Sequence, residues 1–318
     1  MSLRRVIALY ACTLVACAEE SSETRAAQVS ALETAARFLE PVRAVPPTAA
    51  LDPAKVDLGR RLFHERRLSG DASVSCASCH PLAAAGVDHR PTSLGAGGVV
   101  GSRNAPTVFN VALNGRLFWD GRARSLEEQI DGPLLDPREM ASSWSLVLER
   151  LRGDPAYSEA FQSVYRRAVD PAAVRDALAA FERSLMTVGA PFDRYLGGDE
   201  QAISAEALAG YRLFKNYGCS SCHQGANIGG NMFARLGEAV PLAPRPTAAV
   251  GWLRVPPLRL ASLTAPYFHD GSVATLDEAI RIMGERQLGR IIASDEREQI
   301  ATFLKSLAPA TLTAEMNR

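Results

Sequence analysis

Three stretches of the chain place apolar residues at the spacing of one face of an α-helix: residues 52–68, 170–185 and 294–307. Asp52 and Asp170 stand as N-caps, and each is followed by a proline in the first helical turn. Ser294 begins the third helix, with acidic residues in its first turn. Alternating β patterns are scarce, so the chain is predicted to be all-α.

Two segments of the pattern occur twice. FWDGRARSLEEQI (118–130) matches FHDGSVATLDEAI (268–280), and GRRLF (59–63) matches GYRLF (210–214) at nearly the same offset. Repeats at a constant offset indicate a chain built from two related halves. We therefore predict two tandem domains related by internal duplication.

The length of 318 residues suits two domains of ordinary size. We expect the boundary near GAPFDRYLGGD (189–199), which gives an N-terminal domain at 26–188 and a C-terminal domain at 189–318. A hydrophobic share of 47% and a charged share of 22% are those of a soluble globular protein. The formal net charge of zero argues against nucleic acid or an anionic membrane surface as a partner.

Residues 1–18 are predicted to be an export signal. Two arginines in MSLRR precede the apolar run VIALYACTLVA, which is too short to span a bilayer. Its end has two interpretations, because LVAC resembles a lipobox with Cys17 as the lipid-carrying residue, whereas ACA fits a cleavage site that releases a soluble product. Either route predicts a periplasmic protein, soluble or lipid-anchored.

The remaining four of the six cysteines form CASCH (76–80) and CSSCH (219–223), the attachment pattern of c-type haem. Two thiols at this spacing reach the two vinyl groups of one porphyrin, and the adjacent imidazole becomes the proximal iron ligand. A zinc site, a redox dithiol and structural disulfides explain the pattern less well, because none calls for two distant pairs that each end in histidine. The sequence predicts two haem groups, held by Cys76, Cys79 and His80 and by Cys219, Cys222 and His223. The glycine- and proline-rich stretches 81–108 and 225–272 then predict long loops wrapped around these cofactors.

The two halves differ where the second iron ligand is expected. Met283 follows the second repeat helix, whereas Pro133, which cannot ligate iron, holds the equivalent position in the first half. His/Met ligation raises the potential of a haem and suits electron transfer. Met283 is therefore the predicted ligand of the second haem, with Met232 as its rival and core filling as the alternative role of either residue.

Three other residues predict chemistry in the first half. Trp119 stands where the second half has His269, and a tryptophan between two haems relays electrons or anchors an interface. Glu139 in DPREM can act as general base and then as general acid on peroxide, although most glutamates are solvated surface residues. Gln129, on the helix beside the same pocket, can position peroxide or water.

The motifs together resemble the bacterial diheme cytochrome c peroxidases and the related methylamine-utilisation diheme maturation enzymes. The resemblance covers residues 50–307 and rests on LGRRLFHERRLS, CASCH, RNAPTVFN, FWDGRARSLEEQ, ERSLMTVGAPFDRYLGGD, GCSSCH and TAPYFHDGSVATLDEAI. It implies a low-potential peroxidatic haem on His80 and a high-potential, electron-receiving haem on His223 and Met283, with Glu139 and Gln129 over the first iron and Trp119 between the haems. It also implies a calcium ion between the domains, held by Asn104, Thr264 and Pro266.

One loop departs from the family. Well-studied peroxidases carry a histidine there that caps the peroxidatic iron until the other haem is reduced. Ungapped alignment of TSLGAGG and RNAP places Ala96 at that position, and the loop's own histidine, His89, lies earlier and is expected to face solvent. We therefore predict a first haem that is open in the oxidised enzyme.

These features predict an exported diheme peroxidase that reduces hydrogen peroxide with electrons from a small reduced cytochrome c or a copper protein. Family members are often dimers, so a homodimer is among the expected states. Two alternatives remain: a maturation oxidase that acts on a partner protein, for which Tyr267 is a candidate haem ligand, and a diheme electron carrier without catalysis.

Overall fold

The computed structural model describes residues 40–239 and 251–312. The predicted export signal with Cys17 lies outside the described residues. Contacts divide the chain into the units Met1–Glu40 and Pro41–Arg318, and the described residues other than Glu40 belong to the second unit. No helix in this described part is long and apolar enough to cross a membrane.

Helices dominate the described residues, which confirms the predicted helical class. In chain order the α-helices are α1 Pro53–Phe63, α2 Cys76–Cys79, α3 Leu126–Leu135, α4 Trp144–Arg152, α5 Pro155–Tyr165, α6 Pro171–Ser184, α7 Pro191–Leu196, α8 Ala205–Asn216, α9 Leu276–Ile282 and α10 Ser294–Lys305. The strands are β1 Phe233–Ala234 and β2 Leu253–Arg254, which pair antiparallel with Phe233 opposite Arg254. Short 3-10 turns at Leu82–Ala84, Ala96–Gly98 and Ala261–Leu263 lie within the predicted loops.

The predicted helix starts are observed in α1 and α6. Asp52 accepts a hydrogen bond from the backbone N–H of Ala54 at 2.9 Å, and Asp170 accepts one from Ala173 at 2.8 Å. Helix α1 ends earlier than predicted, at Phe63, because Glu65 begins a separate 3-10 turn in which its carboxylate accepts the backbone N–H of Arg67 at 3.0 Å.

Two helix pairs organise the hydrophobic core. Helix α1 packs on α6 and helix α8 packs on α10, each pair within its own cluster of buried apolar residues. Gly59 and Gly210 lie at these crossings, where a β-carbon would be 1.9 Å from the carbonyl oxygen of Ala177 or Gln299. These glycines are the first residues of GRRLF and GYRLF.

The other sequence repeat has the same local geometry in both copies. Isolated β-bridges join Leu117 to Ala123 and Tyr267 to Val273, and a left-handed residue, Phe118 at φ 66° or Phe268 at φ 67°, turns the chain inside each bridge. Ser125 and Thr275 then cap α3 and α9, each accepting a backbone N–H from the glutamate three residues later.

A buried polar network fastens the first half to the second. Asn110 exchanges hydrogen bonds with Thr187, at 2.6 Å to the hydroxyl and 2.8 Å from the backbone N–H. Asn227 of the second half donates to the carbonyl of Asn110 at 3.3 Å and to the side chain of Asn114 at 2.9 Å. Hydrogen bonds between buried polar side chains favour one arrangement of the packed elements.

The segment around Val42 precedes α1 but packs with the second half. Val42 belongs to the cluster around α8 and α10, and the backbone N–H of Arg43 donates to Gly225 at 3.2 Å. Arg259 donates from Nη2 to the carbonyl of Arg43 at 2.9 Å and to Asp193 at 2.6 Å.

Candidate active site

The first CxxCH motif lines a cavity of about 580 Å³. Helix α2 carries Cys76 and Cys79, and its start is held by Ser78, whose hydroxyl accepts the backbone N–H of Ser75 at 2.9 Å. The same cavity is lined by His80, Gln129 and Glu139, which are far apart in sequence. The fold therefore brings the predicted cofactor and catalytic residues of the first half to one place.

His80 has the hydrogen bond expected of an iron ligand. Its Nδ1–H donates to the carbonyl of Gly86 at 3.1 Å, which leaves the lone pair on Nε2. Burial lowers the pKa of the imidazole, so the ring is neutral at neutral pH. A neutral imidazole with one nitrogen engaged by a carbonyl is the usual state of a metal-ligating histidine.

Among the described residues, no disulfide joins the cysteines of either motif. Burial raises the pKa of Cys76 to about 12 and that of Cys219 to about 11, and it also raises those of Cys79 and Cys222. A redox dithiol needs a lowered thiol pKa, so this environment argues against that alternative. It fits thiols that are consumed once, in covalent attachment of a cofactor.

The second motif lines a separate cavity of about 220 Å³, and Met283 lines the same cavity as Cys219, Cys222 and His223. The Nδ1–H of His223 donates to the carbonyl of Ile228 at 3.4 Å, and burial lowers its pKa to about 4. Met283 begins a π-helical turn, Met283–Gln287, directly after α9. The rival Met232 lines neither cavity.

Both cavities fit haem c by the chemistry of their donors. Each supplies two thiols and a neutral imidazole, and apolar side chains make up much of each wall. The second cavity adds the thioether of Met283. No group of three or more His, Cys, Asp or Glu side chains within residues 40–239 and 251–312 is arranged to hold a bare metal ion.

Trp119 lines both cavities. Its indole N–H donates to the backbone carbonyl of Asn104 at 2.9 Å, and its ring meets that of His269 edge-on with centroids 6.4 Å apart. The backbone carbonyl of Trp119 accepts the N–H of Arg254 at 2.8 Å. The indole is thus fixed in the partition between the two candidate haem sites.

Glu139 and Gln129 line the first cavity only. Burial of its carboxyl raises the pKa of Glu139, and the negative charge of Asp136 raises it further. Pro133 also lines this cavity. The alignment with Met283 predicted that Pro133 follows the helix, but Pro133 lies inside the last turn of α3. Position 133 still offers no atom that could ligate iron.

The loop that contains Ala96 is fastened at the edge of the first cavity. Ala96 is buried, and its N–H donates to the carbonyl of Glu139 at 2.7 Å, while the N–H of Gly97 donates to Asp71 at 2.8 Å. A side chain at Gly95 would collide with the carbonyl of Arg138 at 2.2 Å, which explains the glycine.

His89 points elsewhere. Its side chain is exposed, its Nδ1–H donates to the carbonyl of Ala265 at 2.9 Å, and it lines neither cavity. This geometry agrees with the expectation that His89 does not serve the first haem.

The predicted calcium residues lie together. Asn104, Thr264 and Pro266 all line the second cavity, and the amide nitrogen of Asn104 donates to the carbonyl of Arg90 at 3.0 Å. Calcium at these positions stays a prediction.

The sequence analysis did not single out three residues on the walls of the first cavity. Met140 and Glu182 are buried there, and Arg254 is buried where it lines both cavities. Burial raises the pKa of Glu182 to about 8, and its Oε2 has no hydrogen-bond partner. In the sequence, Glu182 stands out only as the first residue of the ERSL motif at 182–185. That motif indicated the family and did not indicate a buried acid.

Comparison with known proteins shows the family of the chain. Residues 53–201 match the family model described as di-haem cytochrome c peroxidase. The chain is 43% identical to the cytochrome c peroxidase Ccp of Escherichia coli over 283 residues, which cover 84% of this chain and 61% of that protein, and so less than two thirds of it. It is 40% identical to the cytochrome c551 peroxidase of Nitrosomonas europaea, covering 85% of this chain and 83% of that one.

A solved structure has the same fold. The crystal structure of a MauG-like protein associated with microbial copper homeostasis superposes with a TM-score of 0.75 and 28% identity, over 87% of this chain and 96% of that one. Identity, coverage and fold agree with the motifs that carried the resemblance. The chain therefore belongs to the di-haem cytochrome c peroxidase family, a family of oxidoreductases.

Proposed function

We propose that the chain is a di-haem peroxidase that reduces hydrogen peroxide: H2O2 + 2 e− + 2 H+ → 2 H2O. The observation that carries the proposal is the asymmetry of the two cavities about Trp119. Both cavities contain a CxxCH set, but Glu139 and Gln129 line only the first and Met283 lines only the second. One site is equipped for proton transfer, and the other for holding an electron at high potential.

The two halves are proposed to be tandem cytochrome c-like domains, 26–188 and 189–318, that arose by duplication. The matched glycines at the helix crossings and the matched bridges, turns and caps of the repeats support this origin. Long segments at 81–108 and 225–272 would wrap the cofactors, and residues of both segments line the cavities.

Cys76 and Cys79 would hold one haem c, with His80 as its iron ligand. Cys219 and Cys222 would hold the other, with His223 and Met283 as ligands. Bound haem supplies the redox-active iron that the reaction needs. The protein's part is to fix each imidazole through the carbonyl of Gly86 or Ile228 and to keep the ring neutral.

Glu139 and Gln129 would handle the substrate. The raised pKa of Glu139 makes its carboxylate a stronger proton acceptor than an exposed glutamate. It takes the proton from one oxygen of peroxide and returns it to the other, which leaves as water. Gln129 orients the peroxide through its side-chain amide.

The remaining partners follow from the export signal and the family. A small reduced cytochrome c or a cupredoxin would deliver electrons at the C-terminal half, and Trp119 would lie on their route to the first haem. The protein would work in the periplasm, soluble or anchored through Cys17, as a monomer or a homodimer. A calcium ion at Asn104, Thr264 and Pro266 would join the halves.

The first haem is proposed to be open in the fully oxidised enzyme, so that no reductive activation is needed. Ala96 and Pro133 carry no ligating atom, and His89 is bound to the carbonyl of Ala265. Electron paramagnetic resonance of the diferric protein should show a high-spin signal that changes on addition of peroxide. A wholly low-spin spectrum from two six-coordinate haems would contradict this proposal.

Steady-state oxidation of reduced cytochrome c by peroxide tests the activity itself. A maturation oxidase acting on a partner protein remains the second candidate, because Tyr267 lines the second cavity. Its hydroxyl, however, donates to the carbonyl of Ala261 at 2.9 Å, which favours Met283 as the ligand. The maturation enzyme and the electron carrier both predict negligible turnover in this assay, and the carrier also predicts two six-coordinate irons.

A further inference from the structure

Arg254 is a buried cation on the wall shared by the two cavities. Only 3% of its surface is exposed, and its side chain lines both cavities. Its Nε donates to the carbonyl of Phe118 at 3.2 Å, and its backbone N–H donates to that of Trp119 at 2.8 Å. Its Nη1 is buried and has no hydrogen-bond partner among residues 40–239 and 251–312.

The guanidinium has no anionic partner within the described residues. Burial lowers the pKa of Arg254 to about 10, and no nearby carboxylate acts against that shift. Arg259 shows the contrast, because it is equally buried but pairs with Asp193 at 2.6 Å. An unpaired buried charge is strongly unfavourable. Among the described residues, Arg259 has a counterion and Arg254 has none.

The missing anion must therefore come from whatever fills the cavities. Each haem carries two propionate carboxylates, and a guanidinium presents parallel N–H donors that match a carboxylate. We propose that Arg254 is a shared clamp that binds a propionate of each haem. The clamp rests on the haem assignment made above, but it does not depend on peroxidase activity.

The clamp has a consequence for the redox chemistry. A fixed positive charge in a buried wall favours the reduced state of any haem beside it, since reduction lowers the positive charge on the iron. Pairing with Arg254 also keeps the propionates ionised at neutral pH. Both haems should therefore have a higher potential than they would without Arg254, and a potential that changes little with pH.

The test is a potentiometric titration of both haems in the Arg254→Gln holoprotein. We expect the midpoint potential of each haem to fall by about 59 mV. For a one-electron couple this fall raises the ferric-to-ferrous ratio about tenfold at a fixed potential. The released propionates should take up a proton on reduction, so the midpoints should also fall as pH rises from 5 to 8. Arg254→Lys keeps the charge and should stay close to the wild type.

Two arginines provide matched controls. Arg235 lines the second cavity and Arg122 lines the first, but both are exposed, and each is stacked on an aromatic ring. Their glutamine variants remove the same charge from solvent-screened positions and should leave the potentials near those of the wild type.

Other titratable groups stay the same in every variant. Apart from the proposed iron ligands His80 and His223, the carboxyl and imidazole side chains on the walls are those of Asp120, Asp136, Glu139, Glu182 and His269. They act equally in the wild type and in Arg254→Gln, so the difference between the two pH slopes isolates the clamp.

Unchanged midpoints, a fall in only one haem, or a fall without the new pH slope would overturn the shared clamp. If the glutamine variant does not fold, a crystal structure of the wild-type holoprotein decides, because it must place a propionate of each haem within hydrogen-bonding distance of Arg254. Haem content and peroxide turnover, measured on the same wild-type preparation, show separately whether the haem assignment or the proposed function has failed.

Discussion

Gly59 of helix α1 approaches the backbone carbonyl of Ala177 in α6 so closely that a single methyl group would lie 1.9 Å from its oxygen. Gly210 stands in the same relation to Gln299 at the crossing of α8 and α10. The two helix pairs can meet backbone to backbone only because both positions lack a side chain.

Gly59→Ala and Gly210→Ala should each lower the free energy of unfolding by about 1–3 kcal/mol, because the added β-carbon forces the helices apart. Denaturant unfolding of the holoprotein measures the loss. Gly115→Ala is the control, since its nearest atom would lie at an ordinary 3.7 Å. Equal stability of all three variants would show that the crossings are not as tight as described.

Glu139→Gln should reduce kcat/KM for peroxide by about 10²–10⁴-fold, because the amide cannot carry the proton between the two oxygens. Haem content and the reduction potentials should remain unchanged. A variant with nearly full turnover would remove Glu139 from the mechanism.

Asp136→Asn should move the acidic limb of the pH–rate profile toward lower pH. The charge of Asp136 raises the pKa of Glu139, and the variant also frees the positive charge of Arg138, so both effects lower that pKa. Glu139 then remains ionised, and active as a base, in more acidic solution. A shift in the opposite direction would contradict the assignment of this limb to Glu139.

Ala96→His should convert the first haem of the oxidised protein to a six-coordinate, low-spin state and suppress most turnover until the second haem is reduced. The reason is that it restores the ligand that the family's well-studied members carry in this loop. His89→Ala is the control and should leave the spectrum unchanged, because His89 is engaged with Ala265. If His89→Ala instead loses a low-spin signal of the first haem that the wild type shows, His89 is the ligand.

Glu182→Gln should stabilise the protein in a pH-dependent manner. The pKa of Glu182 is raised from 4.5 to about 8 in the folded protein. Below pH 4.5 the carboxyl is protonated in both states, so wild type and variant should unfold alike. Between pH 4.5 and 8 the Glu182 carboxyl ionises only in the unfolded chain, so the free energy of unfolding of the wild type falls by about 1.4 kcal/mol per unit of pH. Above the folded pKa this loss no longer grows with pH.

Thermal unfolding at pH 4, 6 and 8 measures the Glu182 effect. The free energy of unfolding of the variant should exceed that of the wild type by a margin that grows to a few kcal/mol by pH 8. Glu206→Gln, at an exposed carboxyl in the first turn of α8, should show no such widening. A constant gap for Glu182→Gln would mean that the carboxyl is ionised in the folded protein.

Much of this site could be predicted from sequence because its signals are local. The CxxCH motifs identify the candidate cofactor residues, and Met283 as a candidate ligand follows from alignment of the two halves. Ala96 follows from comparison of one loop with the family. Each of these inferences needs only neighbouring residues or a constant offset.

Arg254 and Glu182 could not be predicted, because nothing near them in sequence shows that they are buried. Arg254 becomes unusual only when β2 carries it to the partition beside Trp119, and Glu182 only when α6 turns it toward the first cavity. A charged residue is ordinarily solvated, so nothing in the sequence marks either residue as part of a cavity wall. The missing information is tertiary packing.

The segment around Val42 is synthesised early in the chain but can make its tertiary contacts only late. This segment is made before α1, yet Gly225 and Arg259, which hold it, are made after the whole first half. Helices α1 and α6 can pair as soon as both have left the ribosome, but the stretch ahead of them must wait for the last third of the chain. The earliest-made of the described residues are thus among the last to gain their tertiary contacts.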